Sequence, residues 1–187
     1  MGDFKMELYS NDLLLKTVTN ADINEVARMW EFEKGCISLA EAQNAIEYMQ
    51  NNHKQNRTGY IYHLCFAVYE KDKDRIIGWC GLDGKPGPDN ADRMEIFYLI
   101  DKEYRSRGYA TQCALLLLEY AFEVAKIKKV FGGCDRDNIS SFKVLTKSGM
   151  VLYQLRENGD PHFFIDDEIY RKTKSMKKIA EGKDACQ

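Results

Sequence analysis

The segment Ile96–Thr111, IFYLIDKEYRSRGYAT, decides how this chain is read. Its first five residues are apolar or aromatic and read as the end of a strand. A polar loop with Arg105 and Arg107 follows, then Gly108. Beyond the glycine, residues 108–125 read as an apolar helix carrying Leu115, Leu116, Leu118, Ala121, Phe122 and Ala125. A strand, an arginine-bearing loop, a glycine and a helix make a mouth that can hold an anion. The first N–H groups of a helix have no intrahelical acceptor, and the helix dipole favours negative charge there. Gly108 lets the main chain approach a ligand closely, and small Ala110 keeps the mouth open. A pyrophosphate fits such a place. Neither common nucleotide loop is present: no Lys-Ser/Thr follows the glycine, and there is no G-x-G-x-x-G.

Working outward, Lys129–Cys134 reads as the next strand and Asn138–Lys147 as a short helix closed at Gly149. Val151–Arg156 and His162–Tyr170 read as a strand pair across Glu157-Asn158-Gly159-Asp160. Upstream, Leu13–Val18 is a first strand. Thr19-Asn20-Ala21-Asp22 starts a helix over about 21–31, and Ser38-Leu39-Ala40-Glu41 is a capping box for a second, to about Asn51. Tyr60–Tyr69 and Arg75–Leu82 form a hairpin across Lys71-Asp72-Lys73-Asp74, and Arg93–Ile100 is a third such strand. Lys85-Pro86-Gly87-Pro88 holds two of the three prolines. The order β-α-α-β-β-β-α-β-α-β-β predicts an α/β (α+β) architecture. It is a mixed, mainly antiparallel sheet of six to seven strands flanked by about four helices, with one β-α-β crossover. A single domain is expected over 1–187, its core about 13–170, with a charged, frayed tail over 173–187.

The 187 residues carry 27 Lys+Arg against 29 Asp+Glu, a net charge of -2, so composition offers no bulk electrostatic case for nucleic acid or an anionic membrane. The longest apolar run that stands out, Cys113–Leu118, is far shorter than the roughly 20 residues a membrane span needs. The N-terminal stretch has no apolar signal region. Cysteines at 36, 65, 80, 113, 134 and 186 form no CxxC pair and read as free thiols in a reducing cytoplasm. His53, His63 and His162 have no ligand spacing to them, so no metal site is expected.

Arg105-Ser106-Arg107-Gly108-Tyr109-Ala110 resembles the R/Q-x-x-G-x-G/A motif of the GNAT acetyltransferases. Tyr98-Leu99-Ile100 is similar to that family's strand end. Asn138-Ile-Ser-Ser141 with Lys147-Ser-Gly149-Met150 resembles its N-x-x-S/A…K-x-G-F segment. Residues 93–151 are closely similar, most of all to the RimJ/RimL-type branch of ribosomal-protein acetyltransferases, which also includes small-molecule enzymes. The resemblance implies a GNAT fold and acetyl transfer from acetyl-CoA to a primary amine by direct attack. The acceptor would be a small-molecule amine or a protein N-terminus, and the protein a monomer or homodimer.

It also implies roles. Main-chain amides of Arg105, Ser106, Arg107, Gly108, Tyr109 and Ala110, with Thr111, would hold the pyrophosphate. Pantetheine would enter between the 93–100 and 129–134 strands and pair with Tyr98, Leu99 and Ile100. Asn138 is a pantetheine ligand, a helix N-cap, or both. Ser141 is a cofactor contact or a surface hydroxyl. Lys143 and Lys147 meet the 3′-phosphate or only solvent. Glu95 is the candidate base, one residue off the family's register unless a bulge restores it, or else an exposed strand residue. Glu31 and Glu33 face the acceptor or are solvated. Leu145 stands where many members carry a tyrosine acid, leaving Tyr98, Ser141, water or an unassisted thiolate. Cys134 is a buried structural thiol or an acyl carrier. His162 lies near the acceptor side, and Trp30, Phe32 and Trp79 line that pocket or the core. The rival is a non-catalytic acetyl-CoA-binding module of the same fold.

Overall fold

A computed structural model describes residues 3–30, 35–84 and 94–184, with side chains as far as Met176. Glu31, Phe32, Glu33, residues 85–88, Arg93 and Cys186 lie outside the described residues. Among the described residues one sheet contains eight strands in the order β1-β2-β3-β4-β5-β6-β8-β7. They are β1 (Glu7–Tyr9), β2 (Leu13–Lys16), β3 (His63–Glu70), β4 (Ile76–Asp83), β5 (Glu95–Ile100), β6 (Lys129–Gly133), β7 (Val151–Leu155) and β8 (Pro161–Asp166). Every neighbouring pair is antiparallel except β5 and β6, joined by the crossover helix.

The helices are α1 (Ile23–Met29), α2 (Leu39–His53), α3 (Tyr109–Glu119), α4 (Ile139–Lys147) and α5 (Asp167–Asp184). Local chemistry starts and stops them as expected. The Asp22 carboxylate accepts from Thr19 N–H at 2.9 Å, and a 3-10 turn over Asn20–Asp22 leads into α1. The Ser38 hydroxyl accepts from Glu41 N–H while the Glu41 carboxylate accepts from Ser38 N–H, a reciprocal box at the head of α2. A Schellman turn ends α4, with Met150 N–H on the Leu145 carbonyl at 3.2 Å. α3 continues as a π turn over Tyr120–Val124.

The sheet is covered on both faces. Leu15, Phe66, Ile77, Leu82 and Ile96 pack under Ala114, Leu117 and Leu118 of α3. On the other face Ala67, Ile76 and Trp79 pack against Val26 and Met29 of α1 and Ala45, Ile46 and Met49 of α2. β3 and β4 are buried on both faces and read as nearly unbroken apolar runs.

Three sequence expectations are corrected. The sheet has eight strands rather than six or seven, because the short β1 also pairs with β2. Among the described residues there are five α-helices rather than about four, because the last strand stops at Asp166 and the charged stretch continues as α5. Its charges are arranged for a helix: Asp167–Arg171 and Glu168–Lys172 pair at i,i+4, and Lys174 reaches Glu119 and Glu123 at the end of the crossover helix. Finally, β5 carries no bulge against β4, since their register is unbroken from Gly78↔Ile100 to Asp83↔Glu95.

Candidate functional site

β5 and β6 start side by side and then part. Phe131 N–H donates to the Met94 carbonyl at 2.7 Å, and Glu95↔Phe131 is their one register pair. β6 stays with β8 instead, from Lys129↔Asp166 to Gly133↔His162. Along a strand, alternate residues aim their main-chain groups at opposite neighbours. Met94 bonds toward β6 and Asp101 N–H toward Ile77 of β4, at 2.8 Å, so the main-chain groups of Tyr98 and Ile100 face the gap. Arg105 marks its far end, its Nε donating to the Ile100 carbonyl at 2.9 Å.

A cavity of about 590 Å³ lies along this gap. Tyr98, Leu99 and Ile100 form its strand wall, and Arg105, Ser106, Gly108, Tyr109, Ala110 and Thr111 its loop and α3 wall. Asn138, Ser140, Ser141, Lys143, Val144 and Lys147 form the α4 wall. Two helix N-termini therefore converge on one space. Gly108 caps α3 with φ +81°, a left-handed conformation that suits glycine. It offers no side-chain cap, so the N–H groups of the first turn are left to solvent or a ligand. A Cβ at Gly108 would meet nothing within 4 Å. Ser106 also has positive φ, 64°, which aims successive amides inward as in an anion-binding nest. The charged lining side chains are Arg105, Lys143 and Lys147, with no carboxylate among them. The chain's net charge of -2 thus conceals a cationic cavity. A more open depression of about 780 Å³ beside it carries Asp135, Asp137 and Asp160 and is the wrong sign for an anion.

Eleven of the twelve cofactor candidates line the cavity; Arg107 does not. Its guanidinium binds Glu70 at 3.3 Å and the Glu103 carbonyl at 3.2 Å and lies over the Tyr104 ring. Glu70 also accepts from the Tyr109 hydroxyl at 2.7 Å, so a β3 carboxylate draws Arg107 off and pins the loop to the sheet. Asn138 is the cap of α4, its side-chain oxygen accepting from Ser141 N–H at 3.0 Å, and it also lines the cavity. Tyr104, Ser140 and Val144 are lining residues that sequence reading passed over. Ser140, Val144 and Lys147 share a helix face with Ser141, which helical spacing could have found.

The Tyr98 hydroxyl bridges the gap to the Ser141 carbonyl at 3.3 Å. Burial pushes it up to about 12, with a smaller contribution from neighbouring Cys134. Cys134 is itself held above the ordinary thiol value, by burial first and then by Asp135 and Asp160, so it stays a protonated thiol rather than a nucleophile. Leu145 does not reach the cavity; it is buried, and a Cβ on Gly132 would come within 2.8 Å of it.

The other face of the sheet carries Glu95. Ile96 packs under α3, so Glu95, Phe97 and Leu99 point the opposite way. Register aligns His63↔Asp83↔Glu95↔Phe131 across four strands, and the His63 ring stacks on Phe97 with centroids 5.9 Å apart. Glu95 thus sits where β6 leaves β5. Trp79 and Trp30 are not exposed there: Trp79 is in the core, donates to the Met29 carbonyl at 3.0 Å and meets Trp30 edge-on. His162 is buried on β8 opposite Gly133. No group of three His, Cys, Asp or Glu side chains among the described residues could hold a metal ion. No described helix is long and apolar enough to cross a membrane.

A family model described as an acetyltransferase (GNAT) domain matches residues 12–151. The uncharacterized N-acetyltransferase YjdG of Bacillus subtilis is 31% identical over 87 residues, covering 46% of this chain and 51% of that protein. The chain thus spans about half the length of the curated relatives it matches first. Among solved structures, the ribosomal-protein-S5-alanine acetyltransferase of Vibrio fischeri superposes with a TM-score of 0.72 at 14% identity, covering 87% of this chain and 97% of that one. RimL, a ribosomal L7/L12 α-N-protein acetyltransferase solved with coenzyme A bound through a disulfide, gives 0.66 at 15%, covering 86% and 98%.

Proposed function

Because the chain belongs to the GNAT acetyltransferase family, we propose that it moves acetyl from acetyl-CoA to a primary amine by direct attack. One observation carries this reading: the cationic cavity lies where two helix N-termini meet a strand edge that its neighbour has left. The pyrophosphate sits on the amides of 106–111, with Arg105 beside it. Lys143 and Lys147 attract the remaining phosphate. Pantetheine lies in the gap and pairs with Tyr98 and Ile100 as an added strand would. A main-chain N–H there polarises the thioester carbonyl.

The amine enters from the opposite face, where Asp83 and Glu95 stand side by side in register and favour an ammonium. Glu95 takes a proton from it, directly or through water, and the neutral amine attacks the acetyl carbon. The sulfur leaves as a thiolate. A CoA thiol has a pKa of roughly 8.5 by analogy with cysteine. A tyrosine near 12 gives up its proton far less readily, so Tyr98 keeps its proton, its one O–H turning from the Ser141 carbonyl to the departing sulfur. The acylated nitrogen sheds its second proton to solvent, the thiolate takes one up in turn, and no tyrosine is needed at Leu145. Ser141 contributes its main chain, which orients Tyr98. The acceptor is a small-molecule amine or a protein N-terminus; the names of the RimL-type neighbours support the second. The free cysteines suit the reducing cytoplasm.

The test is thiol release from acetyl-CoA against a panel of amines and short peptides with free N-termini. Acceptor-dependent thiol is the expected result. Tight CoA binding with no acceptor-dependent thiol from any amine would replace the enzyme with a binding module.

A further inference from the structure

The turn that leads into α3 holds two residues in the left-handed conformation, Ser106 at φ 64° and Gly108 at φ 81°. A glycine adopts it freely, but a serine does so at a cost and stays there only when its surroundings fix it. Each of the two is followed by a long side chain, Arg107 after Ser106 and Tyr109 after Gly108. Both side chains end on the same atom. Glu70 Oε1 accepts from the Arg107 guanidinium at 3.3 Å and from the Tyr109 hydroxyl at 2.7 Å. Glu70 is the last residue of β3 and is itself held in place. It pairs with Leu13 of β2, and its carbonyl accepts from Lys73 N–H at 3.1 Å where the hairpin turns. Arg107 reaches on to the Glu103 carbonyl at 3.2 Å, so the loop is tied on both sides. A second tie lies one turn along α3. Gln112 donates to the Asp12 carboxylate at 2.8 Å and accepts from the Ser10 hydroxyl at 2.7 Å. The residue before β2 and the last residue of β3 thus grip the first turn of α3 from outside the cavity, which neither Asp12 nor Glu70 lines.

On the reading of the cavity as the acetyl-CoA site, we propose that Glu70 is a positioning residue for the cofactor, setting its affinity by holding the amides of 106–109 convergent. A main-chain nest binds an anion well when its N–H groups already point at one place, and a loop that must be ordered on binding loses affinity by that ordering. Ser106 and Gly108 set the convergence, and Glu70 fixes the residue that follows each. Charge works in the other direction. A carboxylate near an anion site repels the ligand, so Glu70 as a charge alone weakens binding. Arg107 offsets that charge within the same contact, and its own cation is thereby spent on the loop rather than on the cofactor. Removing Glu70 therefore weakens CoA if it positions the loop and tightens CoA if it acts only as a charge.

Calorimetry with CoA, and steady-state kinetics with the best amine of the panel, test this on the full chain. Glu70→Ala raises the Kd for CoA at least about tenfold and the KM for acetyl-CoA with it, while kcat and the KM for the amine stay within about twofold. Glu70→Gln loses the charge, keeps an acceptor for both donors and stays within about threefold of the unaltered chain. Tyr109→Phe keeps the ring, weakens CoA about threefold and adds nothing on top of Glu70→Ala, since both remove one contact. It carries the test if Glu70→Ala fails to fold, and an unchanged Kd then overturns the proposal. Asp74→Ala, an exposed charge on the same hairpin, leaves the Kd as it was. A Glu70→Ala chain that binds CoA as tightly as before, or more tightly, overturns the proposal, and so does a Glu70→Gln chain as weak as Glu70→Ala. An unaltered chain that binds no CoA overturns the reading of the cavity and this proposal with it.

Discussion

Strand β5 has a closed side and an open side. Toward β4 it makes six consecutive register pairs, and toward β6 it makes one. The same six residues thus complete a ladder on one flank and leave main-chain groups facing a cavity on the other. The closed flank is tight because Gly78 and Gly81 let the strands lie with nothing between them. A Cβ at Gly81 would come within 1.9 Å of the Leu64 carbonyl oxygen and 2.5 Å of the Phe97 ring. The open flank exists because β6 has a better partner in β8, with five pairs against one. Main-chain groups left over where a ladder stops must find water or a ligand. A substrate that presents its own amides to such an edge replaces the missing strand.

The contrast can be broken from the closed side first. Gly81→Val should cost about 3 kcal/mol or more of stability, because the colliding atoms include backbone; an unchanged urea midpoint would contradict the account. That half also has its own pH signature. His53 of α2 accepts from Cys65 N–H of β3 at 3.1 Å through a neutral imidazole. Burial, helped by nearby His63, lowers its pKa from 6.5 to about 4. A lowered folded-state value means stability fully present above 6.5 and lost as pH falls toward 4, on the order of 3 kcal/mol. His53→Gln keeps an acceptor and should flatten that slope, read by urea unfolding at a series of pH values.

The open side breaks differently. Gly108→Trp should weaken CoA binding at least about 100-fold, measured by calorimetry. Its melting temperature should drop only by the cost of a left-handed non-glycine residue, about 1–2 kcal/mol. Unchanged CoA affinity would refute the pyrophosphate loop. Glu95→Gln should lower kcat/KM about 10- to 100-fold, with CoA affinity kept. If rate and profile stay as they were, Glu95 is not the base. The smallest effect belongs to Lys147→Ala: about threefold weaker CoA binding that fades as salt rises, since an exposed cation is readily screened.

Much of this was legible in the chain. Gly108 before an apolar helix, Asn138 at a helix start and Gly149 at its end are local devices, and each acts through residues a few positions away. That is why the loop and α4 could be read with their numbers. Arg107 could not be placed, because whether it points into the cavity depends on Glu70, 37 positions earlier on β3. The sequence reading carried the last strand on to Tyr170, because the support of the helix that starts at Asp167 is tertiary in part: Lys174 is held by Glu119 and Glu123 of the crossover helix.

The sequence by itself determined the order of elements from β2 to β8, the glycine turn before α3 and the family resemblance, since periodicity, caps and a glycine loop are short-range properties of the chain. Tertiary structure alone decided that β6 leaves β5 after one pair, that Glu95 and the cavity lie on opposite faces of the sheet, and that Leu145 is core. Each of these depends on which distant strand competes for the same hydrogen bonds, and no stretch of the chain records that competition locally.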